Sequence, residues 1–300
     1  MSDSLTKEMI DERVATVRKR CSQYGEVMGW LGRLLKETVK VQGQTRLPAI
    51  TLTREQTGDS FVVGKPLFAP AELPLDMDQV RALYGHLVEM VDERKAGRGQ
   101  VQGLTRAMAA DQGERPRALV AALNMDLPAL QALGDEMGVA PQVLDMLLRL
   151  AARPSLRALS EAVMPQVDMA QWTHGHCPLC GSLPRLADLS GEGGRRRLHC
   201  ALCETSWFYR RLRCPFCHNE ETETLEVLQA ESEEGFRVDL CLRCRQHLKT
   251  LDLRVLEGPV IMWLDDMSTW HLDLLAQRRL EGLDQGEEAG QEQAPAGQPS

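Results

Sequence analysis

The sequence predicts an α+β fold: an all-α N-terminal domain, then two tandem rubredoxin- or zinc-ribbon-like four-cysteine modules, then a C-terminal helix. Three observations predict it. Apolar residues recur at helical spacing through most of residues 11–169. Four Cys-x-x-Cys pairs then fall between residues 177 and 244, and helical spacing returns from Ile261 to Leu280. These shifts divide the chain into a helical domain (1–170), a first metal module (171–212), a second (213–260), a closing helix (261–282) and a tail (283–300). The tail is rich in Gly, Gln, Glu, Ala and Pro and is expected to be disordered.

At 300 residues the chain exceeds one typical core. Aromatics make up only 4% of it, so its cores must rely on Leu, Val, Ala and Met. The net charge of −8 argues against a general nucleic-acid binder. The first residues lack a basic stretch followed by an apolar run, and no run of about 18 apolar residues occurs. The expectation is a cytoplasmic protein with no membrane span and reduced thiols.

Residues 1–12 are polar and expected to fray. From Asp11 to about Val41, Val14, Val17, Cys21, Tyr24, Met28, Leu31 and Leu35 form a helical stripe. Gly25, Gly29 and Gly32 weaken or split it. Cys21 on that stripe reads as a core thiol. Residues 42–76 carry prolines and glycines and read as a long loop with a packing role. Asp78–Asp92 is the clearest helix. Further helices are expected over 101–112, 115–124, 127–137, 141–152 and 155–169, with Pro116, Pro128, Pro141 and Pro154 at or near their starts. Strands are expected at Leu225–Leu228, Arg237–Leu240 and Leu251–Leu256.

The cysteines carry the chemistry. The pairs are Cys177/Cys180, Cys200/Cys203, Cys214/Cys217 and Cys241/Cys244, each with two residues between the thiols. One tight turn can aim both sulfurs of a pair at one ion, and two turns complete a tetrahedral four-sulfur shell. Residues 181–199 and 218–240 suit hairpins that close each site locally, which favours sequential pairing over a cross-brace. Two metal ions per chain follow, and iron and zinc both accept four thiolates. A shell of four protein ligands leaves no open position for metal-activated water. Positive φ after the second Cys suits Gly181 and is tolerable for His218, but suits Glu204 and Arg245 poorly, so a different turn is expected there.

Arg195, Arg196, Arg197, Arg210, Arg211 and Arg213 crowd this region. They read as charge balance for thiolate-bound metal, as a docking rim for an acidic partner, or as a nucleic-acid patch with Trp207, Phe208 and Tyr209 for stacking. His174, His176, His199, His218 and His247 read as supporting or surface groups, because four thiolates fill each site. No recognisable catalytic motif is present.

The stretch from His176-Cys-Pro-Leu-Cys-Gly-Ser to His199-Cys-Ala-Leu-Cys-Glu-Thr-Ser-Trp207 resembles the FdhE family of formate dehydrogenase accessory proteins. Arg213-Cys-Pro-Phe-Cys217 and Cys241-Leu-Arg-Cys-Arg-Gln-His-Leu-Lys249 extend the likeness. The resemblance implies a cytoplasmic, non-enzymatic maturation factor. Its partner would be the formate dehydrogenase catalytic subunit, and its rubredoxin-like iron sites, tied to partner recognition, would fall on the eight cysteines above. Redox sensing through those metals is a further expectation. Arg245 departs from the pattern, where a small residue is expected. A zinc-ribbon nucleic-acid-binding protein and an iron redox carrier are the competing classes, and a homo-oligomer stays open.

Overall fold

The computed structural model describes residues 5–92, 98–109, 115–229 and 233–282. The expected disordered tail and the end of the helix expected over 101–112 lie outside the described residues. The helical part comprises α1 (Lys7–Arg20), α2 (Gly25–Gln42), α3 (Arg54–Thr57), α4 (Asp59–Val62), α5 (Met77–Asp92), α6 (Arg98–Ala107), α7 (Arg117–Asn124), α8 (Leu127–Met137) and α9 (Pro141–Val163).

The first helix starts earlier than its polar sequence suggests. Thr6 caps it by accepting from the Met9 amide, and Leu5 and Ile10 are buried, so residues 5–12 are anchored. The chain breaks at Cys21, which is half-buried at the end of α1 and not in a helical core. The glycines after it do not interrupt α2. A Cβ on Gly32 would lie 2.8 Å from a methyl carbon of buried Val14, so this small residue lets α1 and α2 approach closely.

Residues 141–163 form one helix, where two were expected. Pro154 lies inside α9 and forfeits one backbone hydrogen bond. The helix nevertheless runs through, because Leu144, Leu147, Leu148, Leu156 and Leu159 are all fully or almost fully buried. Packing overrides the local break. The 42–76 segment holds α3 and α4 and packs on the cysteine region, as its length suggested.

The second half is one six-stranded sheet. Its strands are β1 (Pro184–Ser190), β2 (Arg195–Cys200), β3 (Ser206–Phe208), β4 (Leu225–Leu228), β5 (Phe236–Cys241) and β6 (Gln246–Asp252), in the order β3-β2-β1-β6-β5-β4. Each cysteine module contributes three strands. Within a module the pairing is antiparallel, while β1 and β6 join the modules in parallel, with Leu186 opposite Lys249 and Leu189 opposite Asp252. The strand expected at Leu251–Leu256 ends at Asp252, since residues 253–255 turn away under hydrogen bonds from Val255 and Leu256 to the Asp252 carbonyl.

The C-terminal segment forms two helices, α10 (Met262–Ser268) and α11 (Trp270–Glu281), broken at Thr269. The second buries Leu272 and Ala276 against Leu186, Phe236, Val238 and Leu251 of the sheet. A fully buried ion pair ties the two ends of the chain together. Arg13 of α1 donates through Nε to both oxygens of Asp265 on α10, at 2.9 and 3.1 Å, and its Nη2 also reaches Oδ1. Burial pushes the Asp265 carboxyl up despite Arg13 beside it. Removing one partner strands the other charge. We therefore expect Asp265→Ala to lower stability by about 3–5 kcal/mol in chemical denaturation, and a paired apolar replacement of both residues to recover most of it.

Candidate metal centres

Each Cys-x-x-Cys pair sits on the same short turn. The amide of the first cysteine donates to the carbonyl five residues on in three of them, Cys177 to Ser182, Cys200 to Thr205 and Cys214 to Asn219, and Cys241 stands opposite Gln246 in the ladder of β5 and β6. The residue after each second cysteine is left-handed, with φ of 75° at Gly181, 59° at Glu204, 60° at His218 and 57° at Arg245. Glu204 and Arg245 thus take the same turn as the others, against expectation. Their side chains are held outside the turn: Glu204 accepts from Arg153 of α9 at 2.7 and 2.9 Å, and Arg245 donates to the Leu280 carbonyl. Such anchors offset the cost of a non-glycine residue at positive φ, which is of order 1–3 kcal/mol.

The turns bring the thiols together in sequential pairs. Cys177, Cys180, Cys200 and Cys203 form one cluster, and Cys214, Cys217, Cys241 and Cys244 the other, with all sulfurs of a cluster within 4.8 Å of one another. Three sulfur–sulfur pairs in the first lie at 3.4–3.6 Å and two in the second at 3.6–3.7 Å. A tetrahedron with metal–sulfur bonds of about 2.3 Å has edges of about 3.8 Å, whereas a disulfide brings sulfurs to about 2 Å. The donor set and spacing fit a four-coordinate ion that prefers sulfur, and each cluster could hold one.

The two clusters differ in setting. All four sulfurs of the first are buried and belong to the same core as the helices. The segment after α4 grips its first turn: Leu67 donates to the Pro178 carbonyl, Phe68 donates to that of Leu179, and His176 Nε2 lies 2.8 Å from the Gly64 carbonyl. Amides of Leu202 and Cys203 approach the Cys200 sulfur at 3.3 and 3.5 Å. Burial and the neighbouring sulfurs push the Cys177 thiol well above its usual range, and a bound cation would reverse this by stabilising thiolates. In the second cluster Cys217 and Cys244 are only half-buried. Burial pushes Cys214 up to about 11. The turn at Pro215 packs so closely on Gly175 that a Cβ there would lie 1.9 Å from the Pro215 carbonyl oxygen.

The aromatic run next to the arginines offers one exposed ring, Phe208, which the Arg195 guanidinium covers at 3.8 Å. Trp207 and Tyr209 are buried, with the Trp207 indole donating to the His174 carbonyl and the Tyr209 hydroxyl to that of Cys214. Arg196 is buried as well and donates to the carbonyls of Arg210, Arg211 and Arg213, clasping one module to the other. Arg197 pairs with Asp188, and Arg210 and Arg213 with Glu220. The five histidines stand outside both clusters. His199 meets buried Asp188 at 2.5 Å, His218 the Tyr209 hydroxyl at 2.9 Å, His247 Asp273 at 3.0 Å, and His174 the Val62 carbonyl at 2.9 Å.

Sequence reasoning missed the polar residues that line the clusters. Ser182 Oγ lies 3.4 Å from the Cys180 sulfur, Thr205 Oγ1 lies 3.1 Å from that of Cys203, and the Asn219 amide approaches that of Cys241 at 3.8 Å. Their signal was available: a polar residue stands two positions after the second cysteine of every pair, with Gln246 the fourth.

A helical body joined to a sheet that gathers eight cysteines into two four-sulfur cages defines the class: a scaffold able to hold two metal ions through thiols. The model for the FdhE central domain matches residues 176–211. A protein FdhE homolog from Aquifex aeolicus (strain VF5) is 23% identical over 276 residues, 91% of each chain. One from Edwardsiella ictaluri (strain 93-146) is 36% identical over 100 residues, 32% of each chain. The crystal structure of the FdhE protein from Pseudomonas aeruginosa matches the fold with a TM-score of 0.64 and 18% identity, over 92% of this chain and 93% of that one. The family these findings support is FdhE, the one the cysteine motifs resemble.

The unequal burial of the clusters predicts unequal consequences of losing them. Cys200→Ser should lower metal content and also loosen the helical core, seen as faster proteolysis within α2 and α9. Cys244→Ser should lower metal content while leaving helical circular dichroism and the protease pattern of α2 and α9 unchanged.

Proposed function

We propose that this chain is an accessory factor for formate dehydrogenase, a non-enzymatic protein that binds the catalytic subunit during its maturation. The observation that carries the reading is the pair of four-thiol cages on a fold shared over 92% of the chain with an FdhE protein. All eight cysteines are assigned as metal ligands, one ion per cage. Iron is favoured by the family resemblance, and zinc suits the same donors.

The chemistry of the cages supports a holding role. Each ion would have four protein sulfurs and no position for substrate or water, so Lewis-acid hydrolysis has no place at either site. Iron in such a shell would add one-electron redox, by which the protein could respond to the state of its surroundings. The chain's own contribution is to fix four turns rigidly and to present the loops around them to a partner. No helix among the described residues is long and apolar enough to cross a membrane. The burial of Trp207 and Tyr209, which leaves Phe208 as the one exposed ring of that run, counts against the nucleic-acid-binding alternative.

The test is affinity capture of the tagged chain from cells that make formate dehydrogenase, with elemental analysis of the same sample. The expected result is two metal ions per chain and co-capture of the catalytic subunit. Deleting the gene should abolish formate dehydrogenase activity while the subunit is still made. Full activity in the deletion strain, or fewer than one metal ion per chain, would overturn the reading.

A further inference from the structure

Two grooves flank the turn that carries Cys200 and Cys203, and they meet at Arg153, Arg185, Glu204 and Trp263, which line both. The first has a volume of about 680 Å³ and a polar wall. Its charged side chains are Arg153, Arg157, Arg185 and Arg197 against Glu161 and Glu204. Arg185 and Arg197 are paired with Asp266 and buried Asp188, which do not line the groove, so it is their guanidinium groups that face it. The second, about 640 Å³, is mainly apolar, with Val27, Leu127, Val143, Met146 and Met267 along it. Three of these are unusually open for their type: Leu127 is 67% exposed, Val27 45% and Met267 36%.

We propose that this two-part groove holds an extended segment of the partner polypeptide in which apolar residues adjoin acidic ones. The inference rests on the reading of the chain as an accessory factor and names where and by what chemistry the partner is gripped. Size suits it, because each half falls in the range of established binding clefts, about 300–1,000 Å³. Charge complementarity selects the occupant. Arg157 is only loosely engaged, 3.6 Å from Glu161 and 3.9 Å from Glu204, so it can turn toward an incoming carboxylate without breaking a close pair. Arg185 and Arg197 stand at the groove with side chains about one-third exposed, each anchored at 3.1 Å on Asp266 or Asp188. The apolar half offers side chains that lose water contact only when something covers them. The ridge between the halves is the back of the first cage, so the segment would lie against a wall fixed by Cys200 and Cys203.

The test uses the full-length, metal-loaded chain and a set of overlapping synthetic peptides, each of about 15 residues, which extended would outreach either groove. The set spans the formate dehydrogenase catalytic subunit, and binding is read by fluorescence anisotropy. The expected binders combine apolar and acidic residues and weaken as salt is raised. Leu127→Glu with Val27→Glu should weaken them about tenfold or more, and Arg157→Gln by a smaller factor, whereas Val227→Glu on β4 of the other module should not. Thermal melts of each variant separate lost binding from lost folding, and the exposure of Leu127 and Val27 makes unfolding an unneeded explanation. Binders that are basic, or that bind wild type and folded groove variants equally, would overturn the proposal. So would capture of the intact subunit by the wild type and the groove variants alike, and that result would leave the accessory-factor reading standing. Failure of the wild type to capture the subunit at all would sink that reading instead, with the peptides still deciding whether the groove prefers acidic, apolar segments.

Discussion

Four sulfur atoms that must share one small volume are the constraint on which most of this molecule turns. Cys177, Cys180, Cys200 and Cys203 lie within a single buried core that also contains Leu31 and Leu35 of α2 and Leu147 and Leu148 of α9. Their surroundings keep two turns in place. The segment after α4 holds one turn through backbone hydrogen bonds, and α9 holds another through the ion pair of Arg153 with Glu204. A chain so poor in aromatic residues has little bulk with which to fill a large interface. A cage of four cysteines supplies both volume and rigidity there.

The second constraint is electrostatic. Several charged groups are buried where helices meet the sheet, and each lies near an opposite charge. Asp188 lies between Arg197 and His199, and these partners hold its carboxyl below the usual range although burial pushes the other way. Lys249 reaches Asp266 and Asp273 across β6 and the C-terminal helices. Arg196 satisfies three carbonyls in the linker between the modules. Groups of this kind contribute little net stability compared with apolar replacements, but a mismatch would be costly, so they select one packing over its alternatives.

The sequence made the eight cysteines and their pairing legible, because two-residue spacing and short closure leave few other solutions. It also delimited α5, α8 and β4 closely, where amphipathic or alternating patterns are clean. It did not disclose β1, β2 and β3. Asp188 and Arg196 are buried within strands, so these segments do not alternate apolar with polar, and Arg195-Arg-Arg reads as surface. Pro154 looked like a helix boundary because local preference is all that a single sequence displays, and the leucines that override it come from neighbouring turns. Glu204 and Arg245 looked unsuited to positive φ for the same reason: their anchors, Arg153 and the Leu280 carbonyl, lie 51 and 35 residues away.

The parallel pairing of β1 with β6 sets an order of events. β6 is the last strand to leave the ribosome, yet it occupies an interior place in the sheet. Until it arrives, β1 has an open edge, and β5 lacks one neighbour. Hairpins β1–β2 and β4–β5 are local and can form early, but the contact that unites the modules spans the whole region and must close late. Topology alone thus places the union of the two halves of the sheet after the local hairpins. The chain is open at a strand edge until β6 is inserted.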